Sequence, residues 1–138
     1  MGKIVINSVS PSDIGALWET VEPYIETALE ASGALTSSTQ IQRKLMNGKM
    51  QLYVVVREKI IGAFTTEIEQ NDKGKVLRSV TVSGESFDDW IADMNDMLKA
   101  WANELGIDKI QFIGRIGWIK HKRLKSLGWK PVSVVMEI

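Results

Sequence analysis

The chain has no cysteine and only one histidine among its 138 residues. The first absence excludes a disulfide framework, a thiol nucleophile and a thiolate metal site. The second excludes a multi-histidine metal centre within one chain, so no metal is expected. Charge of one sign is also lacking: 17 Lys and Arg stand against 17 Asp and Glu. Attraction to a nucleic acid or a membrane would therefore have to come from local patches rather than from the whole-molecule field. No apolar run reaches the roughly 18 residues that a membrane-spanning helix needs. The opening "MGKIVINSVSPSD" has no long apolar core or cleavage signal, so a soluble protein made in a cytoplasm is expected. Residue 6 is Ile6 rather than Ser or Thr, which argues against myristoylation of the Met-Gly start. There is no Walker pattern and no G-x-G-x-x-G, and no helix-turn-helix, zinc or RNP signature accompanies the basic residues.

What the chain does contain is ordinary globular material, 44% hydrophobic and 25% charged. At this length folding can bury roughly 68–70% of the unfolded surface, and a single domain over residues 1–138 is expected. "KIVINSV" has the β-branched composition of a strand. "SPSDIGALWETV" then opens a helix, with Ser10 as N-cap, Pro11 at the first helical position and Asp13 completing a capping pattern. Pro23 is expected to split or kink that helix, which closes at Gly33. "STQIQRKLMNG" is a short helical piece. Three strands follow in a meander, "MQLYVVVRE", "KIIGAFTTEIEQ" and "VLRSVTVSG", with turns near Glu58 and Lys59 and at "NDKGK". "ESFDDWIADMNDMLKAWANELG" is a strongly amphipathic helix: Ser86 is its expected cap with Asp89 three residues on, Phe87, Trp90, Ile91, Met94, Leu98, Trp101 and Leu105 form its apolar stripe, and Gly106 ends it. "DKIQFIG" is a fifth strand, a short helix ends near Gly128, and "KPVSVVMEI" is a last strand. The fold class is α/β (α+β): a mixed, mostly antiparallel sheet of about six strands flanked by helices, in the order β-αα(α)-βββ-α-β-α-β.

Charge is segregated along this order. Between Asp108 and Glu137 there is no acidic residue, while Lys109, Arg115, Lys120, Lys122, Arg123, Lys125 and Lys130 are basic. The helix from Glu85 to Glu104 carries Glu85, Asp88, Asp89, Asp93, Asp96 and Glu104 against Lys99 alone. These can be solvated outer faces that look at each other, within the molecule or across an oligomer, or a face for a protein partner; phosphate contacts to nucleic acid are the weakest reading. Trp18, Trp90 and Trp101 sit on helical apolar stripes and read as core. Trp118 and Trp129 also read as core, with a partner anchor as the alternative. His121, between two lysines, reads as a surface residue. Glu67 and Glu69 point to one face of their strand and read as solvated carboxylates, with a water-assisted base for an amine as the alternative.

The element order resembles the GNAT superfamily of acyl-CoA-dependent N-acetyltransferases over nearly the whole chain. Leu127-Gly128-Trp129 before the closing strand looks like that family's "LGF" ending. The form "GRIGW…LKSLGW", on Gly114, Arg115, Gly117, Trp118 and Gly128, is similar to small GNAT-like proteins of tailed phages. The resemblance implies acetyl-CoA as cofactor, with its diphosphate held by an Arg/Gln-x-x-Gly-x-Gly/Ala loop between the fourth strand and the long helix. Here that segment is "TVSGESFDDW": Gly84 alone remains as a glycine, no basic residue is present, and Glu85, Asp88 and Asp89 occupy the positive end of the helix. Two like charges about 4 Å apart cost about 1 kcal/mol in water and several at a partly desolvated surface. The family's thiolate-protonating Tyr would fall four residues before Gly128, at Leu124, which has no proton to give; His121 or Lys122 is the nearest substitute, off position.

The expected function is therefore a degenerate, non-catalytic GNAT-like protein, virion-associated or active in phage assembly through protein contacts, located in a host cytoplasm or virion. No catalytic residue is assigned. The cofactor-loop positions are Ser83, Gly84, Glu85 and Ser86, and the binding-face residues are Arg115, Trp118, Lys120, Lys122, Arg123 and Lys125. No cofactor is expected unless the chain is active, and then it is acetyl-CoA. A protein partner or self-association is expected, with no nucleic acid, membrane or metal. The alternatives are an active acetyl-CoA-dependent N-acetyltransferase that grips the cofactor through Ser83 to Ser86, with Lys122 and Arg123 on the nucleotide phosphate, and a nucleic-acid-binding accessory protein.

Overall fold

A computed structural model describes residues 2–32, 36–113 and 120–131. β1 (Val5–Val9) leads through a 3-10 turn at Pro11–Asp13 into α1 (Ile14–Ser32), and α2 (Ser38–Met46) follows. The meander is β2 (Gln51–Arg57), β3 (Lys59–Asn71) and β4 (Gly74–Gly84). α3 (Phe87–Leu105), β5 (Lys109–Phe112) and α4 (Lys122–Ser126) complete the described elements. The sheet order is β1-β2-β3-β4-β5. The first four strands are antiparallel neighbours, and β5 runs parallel to β4, as a crossover through α3 requires. The expected last strand lies outside the described residues, as do the helix stop at Gly33 and the "GRIGW" portion of the motif; the described sheet has five strands.

Both faces of the sheet are covered, which is why "LYVV" in β2 is buried continuously instead of alternating. On one side Leu52, Val54, Ala63 and Val80 meet Ile14, Val21, Ile25 and Leu29 of α1 and Ile41 and Leu45 of α2. On the other, Tyr53, Val55, Phe64, Leu77 and Val82 meet Trp90, Met94, Leu98 and Ala102 of α3. Trp18 and Trp101 pack against these two clusters from their half-buried edges.

Two expectations are corrected. Of the split or kink expected at Pro23, the split is not seen: α1 is one helix from Ile14 to Ser32. An interior proline costs about 3 kcal/mol, and burying Val21 and Ile25 on either side of it, each worth about 1.5–3 kcal/mol, offsets that cost. Ser86 precedes α3 as expected, but with φ 54° and ψ 41°, and its side chain makes no capping bond. A hydroxyl caps from extended backbone; the left-handed turn aims it away, and the Asp89 N–H instead donates to the Ser86 carbonyl at 2.8 Å. At the other start, the Ser10 hydroxyl donates to the Asp13 carboxylate at 3.0 Å and Pro11 takes the first position of the 3-10 turn, so the helix proper begins at Ile14.

Candidate functional site

β4 delivers the loop expected to hold a cofactor diphosphate, and its geometry is set by close backbone approach. Gly84 pairs with Gly62 of β3. A Cβ at Gly84 would lie 2.5 Å from the Gly62 Cα and 2.6 Å from the Ile61 carbonyl oxygen, so this position must be glycine for packing reasons alone. The close approach lets the Glu85 N–H donate to the Ile61 carbonyl at 2.7 Å. The Glu85 carbonyl in turn accepts from the indole of Trp90, a fully buried ring, at 2.9 Å. Ser83 is buried, whereas Glu85 and Ser86 are exposed.

The carboxylates at the start of α3 already have partners. Asp89 pairs with Arg57 of β2 at 3.3 Å, and Asp88 with the His121 ring at 3.0 Å. His121 is thus not a plain surface residue: its Nδ1 accepts the Leu124 N–H at 3.3 Å, capping α4, while its Nε2 faces Asp88 and its ring lies edge-on to Phe87. α4 is fastened to the N-terminus of α3 by this imidazole. Three residues past α4, the Trp129 indole donates to buried Asn95 of α3 at 2.9 Å and packs on Phe112 of β5 with centroids 4.3 Å apart.

These residues do not fit an acetyl-CoA diphosphate. The Glu85 amide is consumed by β3, Asp88 and Asp89 supply negative charge at the positive helix end, and no cation stands in the loop. The position of the expected general acid is Leu124, 2% exposed and apolar. The described part of the β4–β5 ladder runs to Ser79 and Phe112, with a last bond from the Ile113 N–H to the Ser79 carbonyl at 3.0 Å, while β4 continues to Gly84. Among the described residues its final five residues have no β5 partner.

Beside the loop lies a cleft of about 330 Å³ lined by Gly2, Arg57, Glu58, Lys59, Ile61, Glu85 and Ser86. Its cations and carboxylates are mixed rather than of one sign. Tyr24, whose hydroxyl donates to the Ile60 carbonyl at 3.4 Å, titrates above its ordinary range because of burial and then the Glu85 charge. Glu67 and Glu69 do share a face, but each is taken by a cation, Lys44 and Arg78 respectively, which leaves neither as a free base. Lys120, Lys122, Arg123, Lys125 and Lys130 are exposed and make no ion pair among the described residues. Arg115 and Trp118 lie outside those residues. Arg57, Gly62 and Asn95 were not singled out by sequence; Gly62, an isolated glycine in an apolar strand, is the one that carried a signal, that of close backbone approach. Among the described residues no group of His, Asp or Glu is placed to hold a metal, and no helix is long and apolar enough to cross a membrane.

No protein-family model and no curated protein matches the chain. Solved structures do. A predicted acetyltransferase from Clostridium acetobutylicum, solved with acetyl-CoA, superposes with TM-score 0.69 at 18% identity over 99% of this chain and 96% of that one. A GCN5-related N-acetyltransferase from Ralstonia eutropha gives 0.70 at 11% identity over 99% and 98%. An aminoglycoside acetyltransferase from an uncultured soil metagenomic sample gives 0.71 at 13% over 99% and 97%. The fold expected from the sequence, that of the GNAT acetyltransferases, is the fold observed.

Proposed function

We propose that this GNAT-fold chain is a degenerate, non-catalytic member of that architecture that acts through protein contacts, with the exposed cations of α4 as its binding face. The observation that carries the proposal is the state of the α3 N-terminus, whose nearest loop amide is bonded to Ile61 and whose carboxylates are bonded to Arg57 and His121. Each like-charge contact at about 4 Å would oppose a diphosphate by about 1–4 kcal/mol, depending on local solvation, and the chain offers several. The resemblance of the "GRIGW…LKSLGW" stretch to small phage proteins supports a place in a tailed-phage virion or its assembly, in a host cytoplasm or a particle, with proteins rather than nucleic acid or membrane as partners.

The second reading is an active acetyl-CoA-dependent N-acetyltransferase, favoured by the fold shared with solved acetyltransferases, one of them holding acetyl-CoA. In that case Ser83 to Ser86 would hold the cofactor in an atypical way, with Lys122 and Arg123 on the nucleotide phosphate. Calorimetric titration with acetyl-CoA at moderate salt, beside Lys122→Ala/Arg123→Ala, separates the two. No heat at millimolar cofactor is the expected outcome; micromolar binding weakened in the variant refutes the non-catalytic reading.

A further inference from the structure

Two surfaces of opposite sign carry charges with no ion pair among the described residues, and they lie on opposite sides of the sheet. α1 contains Glu19, Glu22, Glu26 and Glu30 and no Lys or Arg. The spacing of three, four and four residues puts these carboxylates along one face of the helix. None is ion-paired among the described residues. Glu22 and Glu26 are held side by side by one hydroxyl: Ser38 Oγ reaches Glu26 at 2.7 Å and Glu22 at 3.2 Å, so two carboxylates share a single proton donor. The carboxylates are thereby pre-positioned while their charge stays unanswered. On the other side, α4 and its flanks present Lys120, Lys122, Arg123, Lys125 and Lys130, all exposed and without an ion pair among the described residues.

The chain cannot satisfy one surface with the other. α1 and α2 cover the face of the sheet carrying Leu52 and Val54, whereas α4 is fastened by His121 and Trp129 to α3 on the opposite face. On α3, Asp88 is engaged by His121 and Asp89 by Arg57, while Asp93, Asp96 and Glu104 are exposed and make no ion pair among the described residues. We propose that the cations around α4 dock on the glutamate stripe of α1 in a second copy of this chain. The net charge of zero, divided into two such surfaces, makes the copy its own complementary partner. Because donor and acceptor surfaces occupy opposite sides of one chain, the contact is head-to-tail, and it propagates into a ring or a filament instead of closing as a two-fold dimer. This inference rests on the proposed reading of α4 as a binding face and names its partner.

Sedimentation velocity over a concentration series tests it with the intact chain. At low salt the weight-average mass rises with concentration, and the association weakens roughly tenfold or more between about 50 mM and 500 mM salt, as the Debye length contracts below the reach of exposed pairs. Lys122→Glu/Arg123→Glu/Lys125→Glu stays monomeric, and so does Glu19→Lys/Glu26→Lys/Glu30→Lys, whereas an equimolar mixture of the two variants associates again; circular dichroism of each variant checks that the fold is kept. A wild-type chain that is monomeric at every salt and concentration overturns the proposal. So does association indifferent to reversal, a mixture that stays monomeric, or an oligonucleotide duplex that binds α4 while the chain remains monomeric. Acetyl-CoA calorimetry keeps the two failures apart: a monomer that ignores acetyl-CoA refutes self-docking alone, and a chain that binds the cofactor through Lys122 and Arg123 refutes the binding-face reading beneath it.

Discussion

Gly84→Ala separates a glycine kept for packing from one kept for a phosphate. The added Cβ would sit 2.5 Å from the Gly62 Cα and 2.6 Å from the Ile61 carbonyl oxygen. Both contacts fall about 1 Å short of ordinary van der Waals separation, and both neighbours are backbone, so no rotamer change relieves them. Parting the strands there costs about 1–3 kcal/mol as overpacking. It also breaks the 2.7 Å bond from the Glu85 N–H to the Ile61 carbonyl, worth about 1 kcal/mol. A loss of about 3 kcal/mol lowers the Tm of a chain of this size by about 10 °C, read by circular dichroism and repeated in urea. Gly15→Ala is the control: it lies in α1 with nothing within 4 Å of its Cβ, and it should stabilise by about 0.5 kcal/mol from helix propensity. A Gly84→Ala loss below about 1 kcal/mol would refute the packing account. A variant of normal stability that had lost affinity for acetyl-CoA would refute the functional one as well.

Asn95→Ala leaves the Trp129 indole N–H without its 2.9 Å acceptor and should cost about 1–3 kcal/mol in urea unfolding, with a loss of near-ultraviolet dichroism as Trp129 loosens. The two tyrosines should ionise above their ordinary value near 10 in an ultraviolet absorbance titration, Tyr53 because of burial and Tyr24 because of burial and then Glu85. The native state then holds phenolic protons that the unfolded chain has released, so this contribution to stability is whole below about pH 10 and falls as pH rises through the native pKa values. Tyr53→Phe should flatten that alkaline loss.

The order of elements was legible because apolar periodicity reports which faces are covered, and here both sheet faces and one stripe of each long helix are. What misled was local chemistry overruled by packing. Pro23 carries a strong breaking signal, yet Val21 and Ile25 on either side are buried deeply enough to hold the helix together. Ser86 carries a capping signal, yet the chain must turn sharply between Gly84, pinned against Gly62, and Trp90, pinned in the core, and a left-handed residue makes that turn.

The candidate site was legible as a set of departures: no cation in the loop, carboxylates at the helix start, leucine in place of a proton donor. What those carboxylates do instead was hidden, because the pairs are long-range. Arg57 and Asp89 are 32 residues apart, and Asp88 and His121 are 33 apart. Once they are visible, the acidic start of α3 has a structural role: it ties β2 and the His121 end of α4 to the helix. At that helix end Asp89 is answered by Arg57 of β2 and Asp88 by His121 at the start of α4. The contact that would compete with a cofactor is the contact that fixes α4 on the body of the domain. A substitution that restored anion binding at the α3 N-terminus by removing Asp88 would therefore release His121 and loosen the helix that carries the basic face. On the proposed reading, cofactor affinity and an ordered binding face would compete for the same few side chains.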